Sequence, residues 1–223
     1  MEQQTKKNPT NVAHLKELLQ GQRIFQPRFS LPLSLEETEE LLTTAVMSEV
    51  GYRGNVFTDS QHQRTVIRQA AEWCIDRRKV GLMLCGIPGN GKTTLMRAIC
   101  QLFRLFDFKD RYGDSAYMRM DSSVNVADMA KSKYSEFKKL CYVPMLAIDD
   151  FGEEPAEVLE YGNVLSPITD MLSIRYNERL LTVLTTNTAA NKIRERYGDR
   201  IADRFNEMMK VIIFTAPSYR GKV

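Results

Sequence analysis

The sequence predicts an α/β protein built on a parallel sheet with helices on its faces. Three observations predict it. Five short apolar runs recur along the chain, helical patterns separate them, and the first run ends in a glycine-rich turn, "GIPGNGKTT" (86–94), that opens into an amphipathic helix. Strands alternating with helices form parallel sheets, and the crossovers between them are right-handed. With 223 residues and 43% hydrophobic side chains, the chain has room for one such domain, an ordinary core and a short appendage.

The elements follow in order. "MEQQTKKNPTN" (1–11) has the polar composition of a mobile chain end. "VAHLKELLQ" (12–20) suits a short amphipathic helix, and "QPRFSLPLS" (26–34), with two prolines, reads as extended linker. Ser34 begins S-L-E-E, and Glu37 three residues on completes a capping box, which predicts a helix over about 35–50. These pieces bury little alone, so residues 1–54 read as an accessory, mainly helical segment and 55–223 as the main domain. Thr58–Gln61 (T-D-S-Q) repeats the capping-box logic, and Val66, Ile67, Ala70, Ala71 and Cys74 recur at helical spacing. The predicted strands are "KVGLMLCG" (79–86), "SAYMRM" (115–120), "VPMLAID" (143–149), "LLTVLTTN" (180–187) and "KVIIFTA" (210–216). A helix leaves the glycine-rich turn through "TTLMRAICQLF" (93–103).

Composition narrows the classes. A net charge of +3, from 31 basic and 28 acidic residues, does not by itself imply nucleic-acid binding; that requires a local basic face. Cys74, Cys85, Cys100 and Cys141 lie far apart in apolar surroundings, the pattern of buried free thiols in a reducing compartment. They share no metal-like spacing with His14 or His62, which argues against zinc. The chain does not open on a secretory signal, and no apolar run reaches membrane-spanning length, so the expectation is a cytoplasmic protein with no membrane partner.

Four motifs carry chemistry. Gly86, Gly89 and Gly91 let the backbone turn so that successive N–H groups line one concavity at a helix N-terminus, which suits phosphate oxygens. Ile87, Pro88, Asn90 and Thr94 complete that loop; Lys92 supplies a point charge for the β- and γ-phosphates, and the Thr93 hydroxyl a ligand for Mg²⁺. The expected ligands are therefore ATP and Mg²⁺. "MLAIDDF" ends an apolar strand in two carboxylates: Asp149 to hold Mg²⁺ through its water shell, Asp150 to orient the attacking water. A glutamate is more usual at the second position, and the shorter aspartate predicts slow turnover. Glu153 and Glu154 are weaker alternatives, since Gly152 and Pro155 on either side of them imply a turn. Asn187, closing "LTTN", either caps the next helix or orients water beside the γ-phosphate. In "YGDRIADRFNEM" (197–208), Arg200 and Arg204 lie four apart on one helical face. They either form surface ion pairs with Asp199 and Asp203 or reach into a neighbouring subunit's site.

In this order the motifs "GIPGNGKTT", "MLAIDDFG", "VLTTN" and "YGDRIADRFNEM", with "APSYRG" after them, resemble the AAA+ ATPases of the DnaC/DnaI helicase-loader and IstB transposition-helper group over about 56–220. The resemblance implies a three-layer P-loop AAA+ domain with five parallel strands in the order 5-1-4-3-2 and ATP held between adjacent subunits of a nucleotide-dependent homo-oligomer. It makes the aspartate at Asp150 a family trait, puts Asn187 at sensor 1, and makes Arg204 the arginine finger with Arg200 second. It also implies that the C-terminal helical lid of larger relatives is missing, and it leaves Arg220 without a safe role. The family grips DNA, often single-stranded. In "DSSVNVADMAKSKYSEFKKLC" (121–141), Lys131, Lys133, Lys138 and Lys139 with Tyr134 and Phe137 read either as a DNA-binding surface or as a helix with solvated lysines and core aromatics. The reading is an ATPase that loads a replicative helicase onto single-stranded DNA, with a transposase helper and a low-turnover ATP switch as alternatives. The motif order argues against a small-molecule kinase.

Overall fold

A computed structural model describes residues 15–17, 29–76, 78–160, 163–188 and 192–219. Most of the expected helix over 12–20, the polar start and Arg220 lie outside the described residues. The five main strands are β1 (Gly81–Gly86), β2 (Met118–Ser122), β3 (Met145–Asp149), β4 (Leu181–Thr186) and β5 (Met209–Phe214). They pair in the order β2-β3-β4-β1-β5, and every pairing is parallel. That is the expected order. Central strands buried on both faces cannot alternate apolar with polar, and β4 (LTVLTT) is buried at every position.

The helices are α1 (Leu35–Tyr52), α2 (Gln61–Ile75), α3 (Lys92–Arg104), α4 (Ser123–Ser132), α5 (Tyr134–Cys141), α6 (Pro167–Asn177), α7 (Ile193–Tyr197) and α8 (Asp199–Met208). The β1–α3–β2 crossover runs along the sheet in the direction opposite to those through α4–α5, α6 and α7–α8. With right-handed crossovers, α3 therefore covers one face and α4–α8 the other. α1 packs on α2 and α3, which adds it to the first layer. The result is three layers.

Ser34 begins α1 as the sequence predicts. Its hydroxyl accepts from the Glu37 N–H at 3.1 Å, and Glu37 accepts from the Ser34 N–H at 2.8 Å. The helix, assigned to the accessory segment from sequence, puts Leu42 and Val46 into the same apolar cluster as the sheet. At α2 the cap is Ser60 rather than Thr58, because the Ser60 hydroxyl accepts from the Gln63 N–H. The second strand begins later than expected. Ser115 and Ala116 turn back to pair antiparallel with Phe108 and Lys109, so only 118–122 joins the main sheet.

One buried cation ties the sheet's lower edge together. Arg175 of α6 is fully buried and donates to the carbonyls of Cys141, Val143 and Leu181 and to the Thr182 hydroxyl. Burial pushes its guanidinium pKa down to about 9. All four cysteines are buried and free, and burial raises the thiols of Cys85, Cys100 and Cys141 to about 11, 12 and 11, so they stay protonated.

Candidate nucleotide site

The site lies along the C-terminal edge of the parallel strands, where β1, β3 and β4 end side by side. β1 delivers Gly86 to a turn that cannot carry a side chain there. A Cβ on Gly86 would stand 2.4 Å from the Asn90 amide nitrogen and 2.6 Å from the Phe214 carbonyl. Gly91 caps α3 at φ +98°, a backbone conformation that glycine adopts without steric cost. Inside the turn Asn90 is buried and donates to the Phe214 carbonyl at 3.1 Å, fastening the loop to the end of β5.

Lys92, the first residue of α3, folds back over the loop. Its ammonium donates to the carbonyls of Gly86 (2.8 Å) and Ile87 (2.7 Å) and to the Asn90 side-chain oxygen (3.2 Å). The next residue joins the second motif. The Thr93 hydroxyl donates to Asp149 Oδ1 at 2.9 Å, across a gap of 56 residues in sequence. A hydroxyl and a carboxylate oxygen side by side are hard donors of the kind that could hold Mg²⁺.

A residue the sequence reading missed completes this corner. Thr185 of β4 is buried; its hydroxyl donates to the same Asp149 oxygen at 2.5 Å and accepts from the Asp150 N–H at 2.9 Å. One side chain therefore orients the first carboxylate and anchors the backbone of the second. Asp150 sits at φ +54°, a conformation aspartate tolerates better than most residues, and the Ser123 hydroxyl donates to its carbonyl at 2.6 Å.

Asn187 stands just beyond β4, and its amide donates to Glu153 Oε1 at 3.3 Å, so it faces the loop that follows Asp150. Glu154 is buried and committed elsewhere, to the Gly152 N–H at 2.8 Å and to the Tyr197 hydroxyl. Among the described residues, neither arginine has a hydrogen bond or ion pair to this cluster. Arg200 is exposed and has no ion-pair partner among the described residues. Arg194, not Arg200 or Arg204, takes Asp199 and Asp203. Arg204 lies over the Tyr176 ring at 4.9 Å, with its Nη1 buried and lacking a hydrogen-bond partner.

On the far side of the loop, toward β5, the N-terminus of α2 approaches. His62 Nδ1 lies 3.3 Å from the Thr215 hydroxyl, its ring edges onto Phe214, and its Nε2 is buried without a hydrogen-bond partner. Burial lowers its pKa. The Tyr219 N–H donates to the Gly89 carbonyl at 2.9 Å, closing this flank.

The basic segment divides into surface and core. Lys131, Lys133, Lys138 and Lys139 are exposed, and Tyr134 is 38% exposed with the Lys138 ammonium 5.6 Å from its ring centre. Phe137 is buried in the core, which overturns its reading as a base-stacking side chain.

A five-stranded parallel sheet in this order, with a glycine-rich loop after its first strand and an acidic end on its third, is the arrangement of the P-loop AAA+ fold. Among solved structures, the chain is similar to DnaI (TM-score 0.56, 20% identity, covering 83% of this chain and 96% of that one). It is also similar to the DnaC helicase loader (TM-score 0.54, 19% identity, 71% and 93%). A third is AMPPCP-bound DnaA from Aquifex aeolicus (TM-score 0.52, 16% identity, 71% and 48%). At these identities the likeness shows the fold: this chain has the DnaC/DnaI-like AAA+ fold. No protein-family model matches the sequence, and no curated protein matches it.

Proposed function

We propose that this chain is a Mg²⁺-dependent ATPase that assembles with copies of itself and delivers a replicative helicase to single-stranded DNA. The observation that carries the ATPase reading is the meeting of Thr93, Asp149 and Thr185 beside the Lys92 loop. It joins a hydroxyl, a carboxylate and a phosphate cradle from three separate strand ends. In this reading the Lys92 ammonium would pair with the triphosphate, and Thr93 and Asp149 would hold Mg²⁺, which would neutralise phosphate charge. His62, Phe214 and Tyr219, on the β5 side of the loop, would receive the adenine. Asp150 orients the attacking water, and Asn187 helps hold the loop behind it. Arg204, with Arg200 as second choice, acts on the ATP of a neighbouring subunit, since neither joins the cluster around its own loop.

Residues 1–54 dock the helicase, and the exposed lysines of 131–139 with Tyr134 contact DNA. Support for the loader reading comes from the likeness to DnaC, whose structure is described as that of a helicase loader. The test is binding of a fluorescent ATP analogue with and without Mg²⁺, followed by capture of purified helicase or transposase. Saturable Mg²⁺-dependent binding that Lys92→Ala removes, with ATP-dependent capture of helicase, is the expected result. Capture of transposase alone replaces the loader reading with the transposition helper, and binding unaffected by Lys92→Ala overturns the site.

A further inference from the structure

The segment that follows Asp150 is bound to the helix pair that carries the candidate trans-acting arginines. Phe151 is fully buried and stacks on Tyr197, the last residue of α7, with ring centres 4.7 Å apart and planes 16° apart. It also packs on Phe205 of α8 at 5.6 Å, the residue next to Arg204. Glu154, three residues further, divides its carboxylate: Oε1 accepts from the Tyr197 hydroxyl and Oε2 from the Gly152 N–H. Arg196 adds a bond from its guanidinium to the Glu154 carbonyl and stands 3.8 Å from the carboxylate.

The other end of the same segment is fixed to β4. The Phe151 N–H donates to the Thr185 carbonyl at 2.8 Å, and the Thr186 hydroxyl donates to the Phe151 carbonyl at 2.6 Å. The Asp149–Asp150 corner is therefore joined through Phe151 to Tyr197 and Phe205 by packed rings. Tyr197 is followed by Gly198, at φ +81°, the single residue between α7 and α8. Gly198 therefore links Tyr197 directly to the helix bearing Arg200 and Arg204. Burial and the Glu154 carboxylate push the Tyr197 pKa upward, so the phenol remains a hydrogen-bond donor.

We propose that Tyr197, held by Glu154, is a positioning residue that sets the aim of its own subunit's arginine from the state of its own Asp149–Asp150 corner. It touches no reacting atom. Its effect appears in the neighbour's site, because that is where the arginine acts; the inference rests on the trans-arginine reading above.

Directional mixing of subunits tests it. Asp150→Asn subunits, which hold the nucleotide and keep the arginine but do not orient the water, are mixed with Arg204→Ala subunits, which keep the site and lack the arginine. Recovered ATPase activity establishes the shared site. Adding Tyr197→Phe, which removes only the hydroxyl, to the Asp150→Asn donor is expected to cut the recovered rate by about fivefold or more. The same change in the Arg204→Ala acceptor leaves recovery and ATP-analogue affinity unchanged. A general loss of structure does not produce that asymmetry. Equal recovery in the two arrangements, or equal loss, overturns the proposal while leaving the shared site intact. No recovery in the parent mixture overturns the trans-arginine reading and the proposal with it. If Tyr197→Phe fails to fold, Glu154→Gln carries the same test, because an amide has one oxygen for two donors.

Discussion

Replacing Thr185 by valine keeps the shape of a fully buried side chain and removes one hydroxyl. Two bonds go with it: the donation to Asp149 Oδ1 at 2.5 Å and the acceptance from the Asp150 N–H at 2.9 Å. A hydrogen bond to a charged group contributes about 1.5–3 kcal/mol, and leaving a buried N–H unpaired costs about 1–3 kcal/mol. The valine methyl offsets part of this, so the expected loss is about 2–4 kcal/mol, a large share of the roughly 5–15 kcal/mol that stabilises a typical domain. Urea unfolding of Thr185→Val should show a lower midpoint at unchanged slope. A double-mutant cycle with Asp149→Ala should give a coupling of about 1–2 kcal/mol, since the two side chains share one bond. The Mg²⁺-dependent part of nucleotide binding should weaken while Mg²⁺-free binding stays the same. A loss below about 0.5 kcal/mol, or additive effects in the cycle, refutes the assignment of Thr185 as the residue that orients Asp149.

Other consequences can be measured independently. If Lys131, Lys133, Lys138 and Lys139 each neutralise a phosphate of single-stranded DNA, the slope of log K against log salt is about −2.8, or about a 50-fold loss between roughly 50 and 200 mM salt. Fluorescence anisotropy at several salt concentrations reads that slope, and charge reversal of two of the lysines should roughly halve it. Burial holds the His62 pKa below its ordinary 6.5. As pH falls through that value the unfolded chain takes up a proton that the folded chain resists, so stability falls. The melting temperature should therefore drop more from about pH 7 to about pH 5.5 in the parent than in His62→Gln. A parallel drop in both proteins contradicts this role for His62.

The fold was largely legible because its signals are local. Buried strands announce themselves as apolar runs, and Ser34 with Glu37 is a reciprocal bond readable three residues apart. The errors arose where partners are distant. Nothing near Ser115 says that it pairs backward with Lys109 instead of continuing into β2. At α2, Thr58 and Ser60 are both plausible caps, and only the backbone path selects Ser60. Within the site, the loop, Thr93 and Asp149 carry recognisable spacing. Thr185 does not, because a threonine in an apolar strand looks like any β-branched core residue until Asp149 is placed 2.5 Å away. Phe137 was ambiguous for a related reason: its helical phase relative to Tyr134 decides which ring meets solvent, and the packing of α5 turns Phe137 inward. Glu154 and Tyr197, 43 residues apart, meet only through the fold.

One measurement tests the central claim, that a single copy holds the nucleotide but a second copy completes the hydrolytic site. ATPase rate per subunit and particle mass are followed together across a dilution series at saturating ATP and single-stranded DNA. The account predicts that the rate per subunit collapses in step with dissociation of the oligomer. A monomer that hydrolyses ATP at undiminished rate after dilution contradicts it.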